Sequence, residues 1–565
     1  MLFRFIILIS LFLSSINAAS YVKPVPFSKF VQSNHVQKVS KSYYMPVITW
    51  ADIMLAIDNK KLFPAGIKLV DNPIQQMNDV IAGKTPFIRQ TLGSGVMIND
   101  ALQKAGVEML MFHSISDSLG GDVIVARKNI KNLNSLKLMV KKGNKPVIAI
   151  QWGGPHMGWL VQLLNSMHLK ISDVKIKYTK NLFGKNSPES AIAEDKSIDM
   201  AFVISPSAAV LTDGEYALPN VHVLTSTKVM TDAIKDVLFV RKDWAQQNKQ
   251  KLLKIRDAYL RSRSNIMNDS LINSAAVMLF GKGQQGIDDL IGMRDETRFH
   301  TKKRSNDFMY KKSNLMNYDR KSKSIIKAFS NAKYISSSSL KMKKYNWGVT
   351  LSDKAHVTSL SEKAQTRVIN KVQALDMKGQ GQNIFQKSVF FKPNQSKFST
   401  KAYSQEFQEA IELAATYGGA VVKIVGNVDP QLQRAWNKAV EFKKLGQYKN
   451  LSKVQRYLKK VTGEKYNFAN MSIQLIKTER NNIRNAAIQT SKERASAVKY
   501  AVIKYAKAKN YNLDAARLIV LGVGGDNPIY KKPRNKKQFL KNVRVEFIIT
   551  NYNAEISEFN ETQDF

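Results

Sequence analysis

Residues 490–500 read TSKERASAVKY, and this stretch decides how the C-terminal third of the chain folds. Thr490 followed three residues later by Glu493 is a capping box, a pattern that begins a helix. Apolar residues then recur at spacings of three and four, as on the buried face of a helix: Ala495, Val498, Val502 and Tyr505. Lys492 and Arg494 would lie in the first turn, where the helix dipole disfavours a cation by roughly 0.3–1 kcal/mol. Arg494 is therefore a candidate for a function other than helix stability.

Several strand-like segments surround this helix in a fixed order. They are SVFFKPNQSKF (388–398), VVKIVGNVD (421–429), ARLIVLGVGGDNP (516–528) and NVRVEFIIT (542–550). With the helix they predict an α+β unit in the order strand, helix, strand, helix, strand, strand. The phrases GNVD, TSKERA, GVGGDNP and NVRVE resemble those of the OmpA-like peptidoglycan-binding domain. The typical phrases of that family are G-H-T-D, L-S-x-x-R-A, G-x-G-x-x-x-P and N-R-R-V-E.

The resemblance implies a ligand for Arg494. In the OmpA-like family, the Asp of the first phrase and the Arg of the second hold the free, zwitterionic end of diaminopimelate in the peptidoglycan stem peptide. By position these residues are Asp429 and Arg494 here, with Arg544 of the last strand in support. An Asp suits the ammonium group, and a guanidinium fork suits the carboxylate. The resemblance therefore predicts peptidoglycan as the partner of this unit.

This sequence departs from the family pattern at several points. Asn427 and Val428 replace the family's His and Thr, Val543 replaces the first Arg of the last phrase, and Ala487 stands where the helix phrase usually has Asn. Residues 430–482 are predicted to be a basic helical insertion, which contains AWNKAVEFKKLGQY and SKVQRYLKKV. Loop-closure entropy grows slowly with length, so such an insertion is tolerable if its ends are close. It could equally cover the site, and an OmpA-like fold that no longer binds peptidoglycan is the alternative.

The region from about residue 40 to 300 has a different pattern, in which apolar strand-like runs alternate with helical periodicity. The clearest strands are VEMLMFHS (107–114), DVIVA (122–126), KPVIAIQ (145–151) and IDMAFVIS (198–205). Alternation of this kind predicts α/β units with mostly parallel sheets.

Longer phrases in this region resemble a type 2 periplasmic substrate-binding protein. The nearest group is the ABC-transporter family that takes nitrate, sulfonates, taurine and pyrimidine precursors. The phrases are ITWADIMLAIDNKKLFPAGIKL (48–69), SISDSLGGDVIVARKNIKNLNSLK (114–137), VIAIQWGGPHMGWLVQLLNSMHLKISDVKI (147–176) and IDMAFVISPSAAVL (198–211). The resemblance implies two α/β lobes that close on a small solute, with an ABC permease as partner.

Candidate solute-binding residues lie where the strands end, because ligands of such sheets bind beyond the strand carboxyl ends. QWGGPHMG also predicts a helix that begins near Met157, whose free N–H groups would suit an anion. The candidates are Thr49, Trp50, Ser116, Ser118, Gly120, Gly153, Gly154, His156 and Ser205. Any one of them alone is as readily an ordinary cap or turn, but the set predicts a pocket for a small solute, with anions among the candidates.

The N-terminus predicts export. MLFRF, IILISLFL and SSINAAS supply a cation, a short apolar run and small residues, as in a signal peptide over residues 1–19. A retained N-terminal anchor is the alternative. The chain has no cysteine, which excludes a lipobox, disulfides and thiolate metal sites. Its seven histidines lack the spacing of metal ligands, so neither a metal nor a cofactor is predicted.

The charge of the chain is strongly basic, with 87 Lys and Arg against 44 Asp and Glu and a formal net charge of +43. The cations are spread along the sequence, and export separates the protein from cytoplasmic nucleic acid, so nucleic acid is not a predicted partner. A basic surface would still attract anionic envelope polymers and lipid headgroups in a salt-dependent way.

The predicted organisation combines these parts. It comprises a signal peptide (1–19), a two-lobe substrate-binding domain (20–345), a linker (346–384), an OmpA-like domain (385–551) and a tail (552–565). The predicted function is that of a non-enzymatic periplasmic protein that binds a solute and is held on peptidoglycan, with outer-membrane association open. One alternative is a structural envelope tether whose cleft no longer binds a solute. Another is an enzyme on the same two-lobe fold, which would need a reactive group such as His156.

Overall fold

The computed structural model describes residues 20–33, 35–48, 61–214, 216–262, 269–280, 284–352, 354, 356–390 and 398–552. The predicted signal peptide, the candidate residues Thr49 and Trp50, and the tail after residue 552 lie outside the described residues. The chain divides into two units. The first unit is Met1–Asp353 with Thr416–Gly419, and the second is Lys354–Ala415 with Ala420–Phe565.

The first unit is a mixed α/β structure. Its strands are β1 (Met45–Val47), β2 (Ile67–Leu69), β3 (Phe87–Thr91), β4 (Met109–Ser118), β5 (Asp122–Arg127), β6 (Val147–Gln151), β7 (Lys175–Thr179), β8 (Met200–Ile204), β9 (Val221–Ser226), β10 (Lys235–Arg241), β11 (Thr297–Phe299) and β12 (Lys343–Lys344). Its helices are α1 (Pro73–Ile81), α2 (Leu92–Lys104), α3 (Leu133–Lys141), α4 (Met157–Ser166), α5 (Pro188–Glu194), α6 (Ser205–Thr212), α7 (Lys242–Gln247), α8 (Lys249–Arg261), α9 (Asp269–Phe280), α10 (Gln284–Asp295), α11 (Lys302–Tyr310) and α12 (Tyr318–Asn331). A 3-10 turn spans Phe27–Phe30.

Two five-stranded sheets organise the first unit. One has the order β7-β6-β8-β5-β9, and the other has the order β11-β4-β10-β3 with β12 beside β4. Parallel pairing is present, as predicted, between β6 and its neighbours β7 and β8. β5 pairs antiparallel with β8 and β9, and β10 pairs antiparallel with β3 and β4. These antiparallel pairs follow from the path of the chain. It passes directly from β4 in one sheet to β5 in the other, and it returns from β9 to β10.

Each sheet of the first unit has its own apolar core. Phe87, Phe112 and Leu238 belong to the core on the β3–β4–β10 side. Val125, Ala201 and other small or β-branched residues form the core beside β5 and β8. The continuous apolar runs found in the sequence at β4, β6 and β8 are buried, as expected for strands covered on both faces. The two crossings between the sheets, residues 119–121 and 227–234, therefore lie between two separate cores.

The second unit consists of a sheet with helices and an inserted helical part. Its strands are β13 (Val357–Thr358), β14 (Gly381–Phe390), β15 (Val421–Asn427), β16 (Leu513–Asp514), β17 (Leu518–Gly522) and β18 (Arg544–Tyr552). Its helices are α13 (Glu362–Met377), α14 (Ser404–Thr416), α15 (Gln431–Lys444), α16 (Tyr448–Thr462), α17 (Ile473–Ala508) and α18 (Lys536–Asn542).

The main sheet of the second unit has the order β14-β18-β15-β17. β15 runs parallel to β17 and antiparallel to β18, and every residue of β15 is buried. Helix α13 lies within residues 346–384, where the sequence analysis expected a linker. Val368, Val372 and Leu375 of this helix pack with Val421 and Ile519 of the sheet. Helix α13 therefore contributes to the core of the second unit, because its apolar residues recur at helical spacing.

The inserted part is helical, as predicted, and has a core of its own. Trp436, Leu458, Phe468 and Ile476 are buried together among α15, α16 and the beginning of α17. None of the helices in the described part of the chain is long and apolar enough to span a membrane.

The beginning of α17 corrects the sequence analysis. The helix begins at Ile473, where the Ser472 side chain accepts a hydrogen bond from the Leu475 N–H. Thr490 and Glu493 lie far inside the helix, and the Glu493 carboxylate accepts a hydrogen bond from Gln489 instead. The predicted capping box is therefore wrong, and the dipole argument does not apply to Arg494. The inserted residues continue the helical periodicity without a break, so the helix extends into them.

Candidate functional site

Asp429 lies two residues after the end of β15, at one end of the main sheet of the second unit. The Asp429 carboxylate accepts a hydrogen bond of 2.9 Å from the Gln431 N–H, at the start of α15. Its other oxygen accepts a hydrogen bond of 3.0 Å from the Asn542 side-chain amide. Asn542 is fully buried and also bonds Tyr530, so it fixes the position of the carboxylate. A carboxylate has about four lone-pair sites, so two bonds leave Asp429 with unused acceptor capacity.

Helix α17 crosses the same end of the sheet in close contact. A Cβ atom on Gly426 would lie 1.8 Å from the Ser491 carbonyl oxygen, so only glycine permits this approach. The Gly524 N–H donates a hydrogen bond of 2.9 Å to the Ser491 hydroxyl. Arg494 lies three residues after Ser491 and therefore on the same helix face. Ser491 packs on Gly426, so this face of α17 lies against the end of the sheet.

The Arg494 guanidinium has no hydrogen-bond or ion-pair partner among the described residues. Its Nη1 atom is buried and forms no hydrogen bond with any of them. Burial lowers the pKa of Arg494. Among the residues that the structure describes, no acid forms an ion pair with Arg494, and no cation forms one with Asp429. A buried donor left without an acceptor costs about 1–3 kcal/mol, so an anionic group that accepted this hydrogen bond would stabilise the arrangement.

Arg544 is placed differently from Arg494. It is almost fully buried, and its Nη2 atom lies 2.9 Å from a carboxylate oxygen of Glu546 and 3.0 Å from the Asn527 carbonyl oxygen. Glu546 also accepts a hydrogen bond of 3.2 Å from the Asn427 side chain, two residues before Asp429. The charge of Arg544 is thus neutralised within the protein. This arrangement suits the supporting role that the resemblance implied, not direct contact with a ligand.

The insertion lies beside Asp429. The Tyr457 hydroxyl of α16 donates a hydrogen bond of 3.0 Å to the Gln431 side chain. Burial, with the Asp429 carboxylate as a second cause, raises the pKa of Tyr457. Sequence reasoning missed both Tyr457 and Asn542. Asn542 is the first residue of the NVRVE phrase, so the resemblance could have pointed to it. Tyr457 belongs to the insertion, which has no counterpart among the family phrases.

The candidate cleft residues of the first unit are engaged with one another and with their surroundings. Helix α4 begins at Met157, as predicted. His156 is fully buried, and its Nε2 atom lies 2.7 Å from the Asp122 carboxylate. Gly153 has a φ of +70°, and a Cβ there would lie 2.4 Å from the Phe27 ring. Gly154, whose Cβ would lie 2.1 Å from the Gln151 side-chain oxygen, is equally enclosed.

The candidate serines are also hydrogen-bonded. Ser118 shares a 2.8 Å bond with Thr227, and the Gly120 N–H donates to the same Thr227 hydroxyl at 2.9 Å. Ser205 donates to Glu296 at 2.6 Å. Ser116 donates to Asp236 at 2.8 Å. The structure thus brings Ser118, Gly120, Ser205 and His156 together around the crossing from β4 to β5.

A group of charges at the same crossing was missed by sequence reasoning. Asp117 is fully buried, forms an ion pair with Lys235, and lies 2.8 Å from Arg298 and 2.9 Å from Arg304. Burial alone would raise the pKa of Asp117, but His300 and the three cations hold it well below its usual range. Asp117 was not selected, although it lies between two chosen serines, because its partners come from β10, β11 and α11.

The group contains a further cation. Lys321 adds a fourth cation, because its Nζ donates to the Asp232 carbonyl oxygen. Burial lowers the pKa of Lys321 to about 8, with Lys235 as a further cause. Asp117 and Asp232 lie among these four cations, Asp307 also acts on Arg304, and Glu296, the acceptor of Ser205, lies at the same crossing. Burial lowers the pKa of His300 to about 4, so His300 is neutral at pH 7. Arg298 and Arg304 keep side-chain exposures of 21% and 31%, so an anion from solvent can reach them.

Among the described residues, no group of three or more His, Asp or Glu side chains could hold a metal ion. The ionised Asp117 is surrounded by cations and is unsuited to bind another one.

Comparison with known proteins gives a likeness to solved structures. No family model matches the chain, and no curated protein matches it. The alkanesulfonate-binding protein SsuA from Xanthomonas axonopodis pv. citri, bound to MOPS, is 14% identical over 54% of this chain and 97% of its own, with a TM-score of 0.38.

Two further solved structures are similar to a comparable extent. The periplasmic aliphatic sulphonate binding protein SsuA from Escherichia coli is 16% identical over 52% of this chain and 94% of its own, with a TM-score of 0.37. The periplasmic nitrate-binding protein NrtA from Synechocystis PCC 6803 is 14% identical over 53% of this chain and 82% of its own, with a TM-score of 0.34. Identities and TM-scores of this size do not transfer a ligand from those proteins to this chain.

Proposed function

We propose that the second unit binds the free end of diaminopimelate in peptidoglycan through Asp429 and Arg494. The observation that carries this proposal is a pair of opposite charges at one end of the sheet, each without an ionic partner among the described residues. The free end of diaminopimelate is a zwitterion. Its ammonium group would pair with the Asp429 carboxylate, and its carboxylate would accept hydrogen bonds from the Arg494 guanidinium, including the buried Nη1.

The energetics of the site support a ligand of this kind. Each charge-assisted hydrogen bond is worth roughly 1.5–3 kcal/mol, and the ligand would supply the acceptor that the buried Arg494 donor lacks. Arg544 keeps its place through Glu546, and Asn542 holds Asp429. The protein would therefore meet the ligand with its charged groups already positioned, which reduces the entropic cost of binding.

Co-sedimentation of the full chain with purified sacculi tests the anchor. Asp429→Ala and Arg494→Ala should each weaken binding tenfold or more, because either change leaves one charge of the bound zwitterion without its partner. Arg494→Lys should restore little, since an ammonium group cannot form the bidentate fork. Arg484→Ala is the matched control, because Arg484 lies on the same helix but pairs with Asp526 at the surface. The anchor proposal fails if all four variants sediment like the wild type at both low and high salt.

We propose for the first unit that it binds a small anionic solute at the crossing from β4 to β5. The supporting observation is the group of four cations around Asp117 and Asp232, in which Arg298 and Arg304 are partly exposed. A sulfonate, phosphate or carboxylate would bind the exposed parts of these two guanidinium groups without a change in the buried pairs. The chain would then act as a periplasmic, non-enzymatic solute receptor held on the cell wall, with an ABC permease as a further partner.

Thermal stability measured with candidate anions tests the solute proposal. A specific ligand at one hundred times its dissociation constant should stabilise the protein by about 2.7 kcal/mol. Nitrate, alkanesulfonates, phosphates and pyrimidine precursors are the compounds to compare. Arg304→Gln should remove the stabilisation by the compound that succeeds, while Lys323→Gln, on an exposed position of α12, should leave it unchanged.

A second function for the first unit is favoured by the close packing of the candidate cleft. A Cβ on Gly93 of α2 would lie 2.5 Å from the Gly158 nitrogen of α4, and Phe27 fills the space at Gly153. Packing of this kind suits a structural envelope tether whose cleft no longer binds a solute. Mass spectrometry of small molecules released from purified, denatured protein separates the two functions, because a receptor should release a stoichiometric compound and a tether should not.

A further inference from the structure

The inserted hairpin of α15 and α16 carries a concentrated positive charge. Residues 431–463 contain nine Lys and Arg and a single acid, Glu441. Trp436, Leu451 and Leu458 of the hairpin face inward and are buried in the core of the insertion. The cations are therefore distributed over the outward side.

Four of these cations form a stripe on α16. Lys449, Lys453, Arg456 and Lys460 are separated by four, three and four residues, so they share one helix face. All four are exposed, and none of them forms an ion pair with another described residue. The stripe extends over about 16 Å of the helix, at 1.5 Å per residue. An unpaired row of cations of this length fits an extended anionic surface better than a single small anion.

Apolar side chains are exposed at one end of the stripe, in the turn between the two helices. Leu445 is 61% exposed and Tyr448 is 56% exposed. Lysines flank them, and the Lys443 Nζ lies 5.6 Å from the centre of the Tyr448 ring. A tip with an aromatic and an aliphatic side chain between lysines has the chemistry of a segment that lies at the interface of a membrane.

We propose that this hairpin binds the surface of an anionic lipid bilayer. The α16 stripe contacts the phosphate headgroups, and Leu445 and Tyr448 enter the interfacial layer. A soluble polyanion would also neutralise the stripe, but it would leave the two exposed apolar side chains in water, so the tip favours lipid. The inference uses residues of the hairpin alone and does not depend on the ligand of Asp429 and Arg494.

Flotation of the full chain with lipid vesicles tests the proposal. Vesicles that contain phosphatidylglycerol should bind the protein, and vesicles of phosphatidylcholine should not. Each cation near an anionic surface contributes about fivefold in partitioning, so Lys453→Gln, Arg456→Gln and Lys460→Gln together should weaken binding on the order of 100-fold. The matched control replaces three exposed lysines at the C-terminal end of α17 with glutamine. These are Lys504, Lys507 and Lys509, and their replacement should weaken vesicle binding only slightly.

A fluorescent label at the tip tests whether apolar side chains enter the lipid. The chain has no cysteine, so Tyr448→Cys provides a single site for an environment-sensitive dye. Its emission should shift to the blue with anionic vesicles, whereas a dye at Lys504→Cys should not respond.

Three results would overturn the proposal. The first is equal binding of anionic and neutral vesicles. The second is equal loss of binding in the stripe variant and the control variant. The third is binding that depends on the stripe without a shift of the dye at residue 448, which would assign the stripe to a soluble polyanion.

Discussion

Two arginines near the same sheet end show how the surroundings of a side chain decide its role. Arg544 forms an ion pair with Glu546, and both are almost fully buried. Arg494 is half-buried and has an Nη1 atom without a partner. Arg544, although its Nε atom also lacks a partner, is thus neutralised within the fold, whereas Arg494 has no carboxylate partner among the described residues.

The stability of two alanine variants should reflect this difference. Arg544→Ala leaves the buried Glu546 without its cation and should lower the free energy of unfolding by about 3–5 kcal/mol. Arg494→Ala removes a buried, unsatisfied donor but also the packing of the side chain, so these effects offset and the free energy of unfolding should change by less than about 1 kcal/mol. Urea denaturation followed by circular dichroism gives both values. Equal destabilisation by the two changes would show that Arg494 has a structural partner after all.

Glu189 gives the first unit a dependence on pH. Its carboxylate accepts a hydrogen bond of 2.6 Å from the Gly184 N–H, and its second oxygen is buried without a partner. Burial raises the pKa of Glu189 from 4.5 to about 7, although the Gly184 bond acts in the opposite direction. A raised carboxyl pKa means that the folded state holds the proton more tightly, so stability is lost as the pH rises from about 4.5 through 7.

Glu189→Gln should abolish this loss. At 1.36 kcal/mol per pKa unit, the variant should exceed the wild type by up to about 3 kcal/mol at pH 8.5 and match it near pH 4.5. Melting temperatures of the full chain at the two pH values provide the measurement. The difference between variant and wild type isolates Glu189, because His113 and His300 titrate in both proteins. A difference that is the same at pH 4.5 and 8.5 would contradict the assignment.

Helix α17 shows what local patterns can and cannot indicate about an element. Thr490 and Glu493 have the spacing of a capping box, yet Ser472 caps the helix. Removal of a used N-cap side chain costs about 1 kcal/mol, so Ser472→Ala should destabilise the second unit by about that amount. Thr490→Ala should be neutral or slightly stabilising, since alanine is the better helix former. Chemical denaturation of both variants is the test, and the reverse order would restore the helix start predicted from the sequence.

The strands were easier to predict than their pairing. The apolar runs at β4, β5, β6, β8 and β15 identify the strands because burial on both faces requires continuous apolar sequence. The antiparallel pairs of β5 depend on where the chain crosses between the sheets, and no local pattern encodes that. Helix α13 was missed because its apolar spacing lies within a polar segment that resembles a boundary.

The candidate sites likewise divide into residues that local patterns indicate and residues that only the fold brings together. Asp429 and Arg494 were selected as candidates because the phrases GNVD and TSKERA are local. Tyr457 and the partners of Asp117 come from distant segments, so only the folded structure reveals them. The solute-binding candidates were chosen as turns at strand ends, and the described ones bond largely to groups of the fold itself.

The molecule as a whole combines two units with an unusually basic composition. A net charge of +43 adds a salt-dependent attraction to any anionic surface, so adsorption alone does not establish a specific site. Specific contacts are distinguished by variants that keep the total charge nearly constant. For this reason the sacculus and vesicle experiments each compare a site residue with a matched cation elsewhere.

Deletion of the insertion should separate the two proposed surfaces of the second unit. The ends of the insertion are close, because Gln433 and Arg484 both bond Asp526, at 2.7 and 2.8 Å. A short Gly-Ser linker from residue 430 to residue 484 can therefore replace it at a small entropic cost. The sheet, Asp429 and Arg494 remain, whereas the α16 stripe and the exposed tip are lost.

This shortened chain should still sediment with sacculi and should no longer bind anionic vesicles. Circular dichroism at the melting transition confirms that the second unit remains folded, and Arg494→Ala in the shortened chain should again reduce sedimentation tenfold or more. If sacculus binding disappears while the fold persists, the insertion itself holds the cell wall. Tyr457, which bonds Gln431 beside Asp429, would then be the first residue to test as a ligand contact.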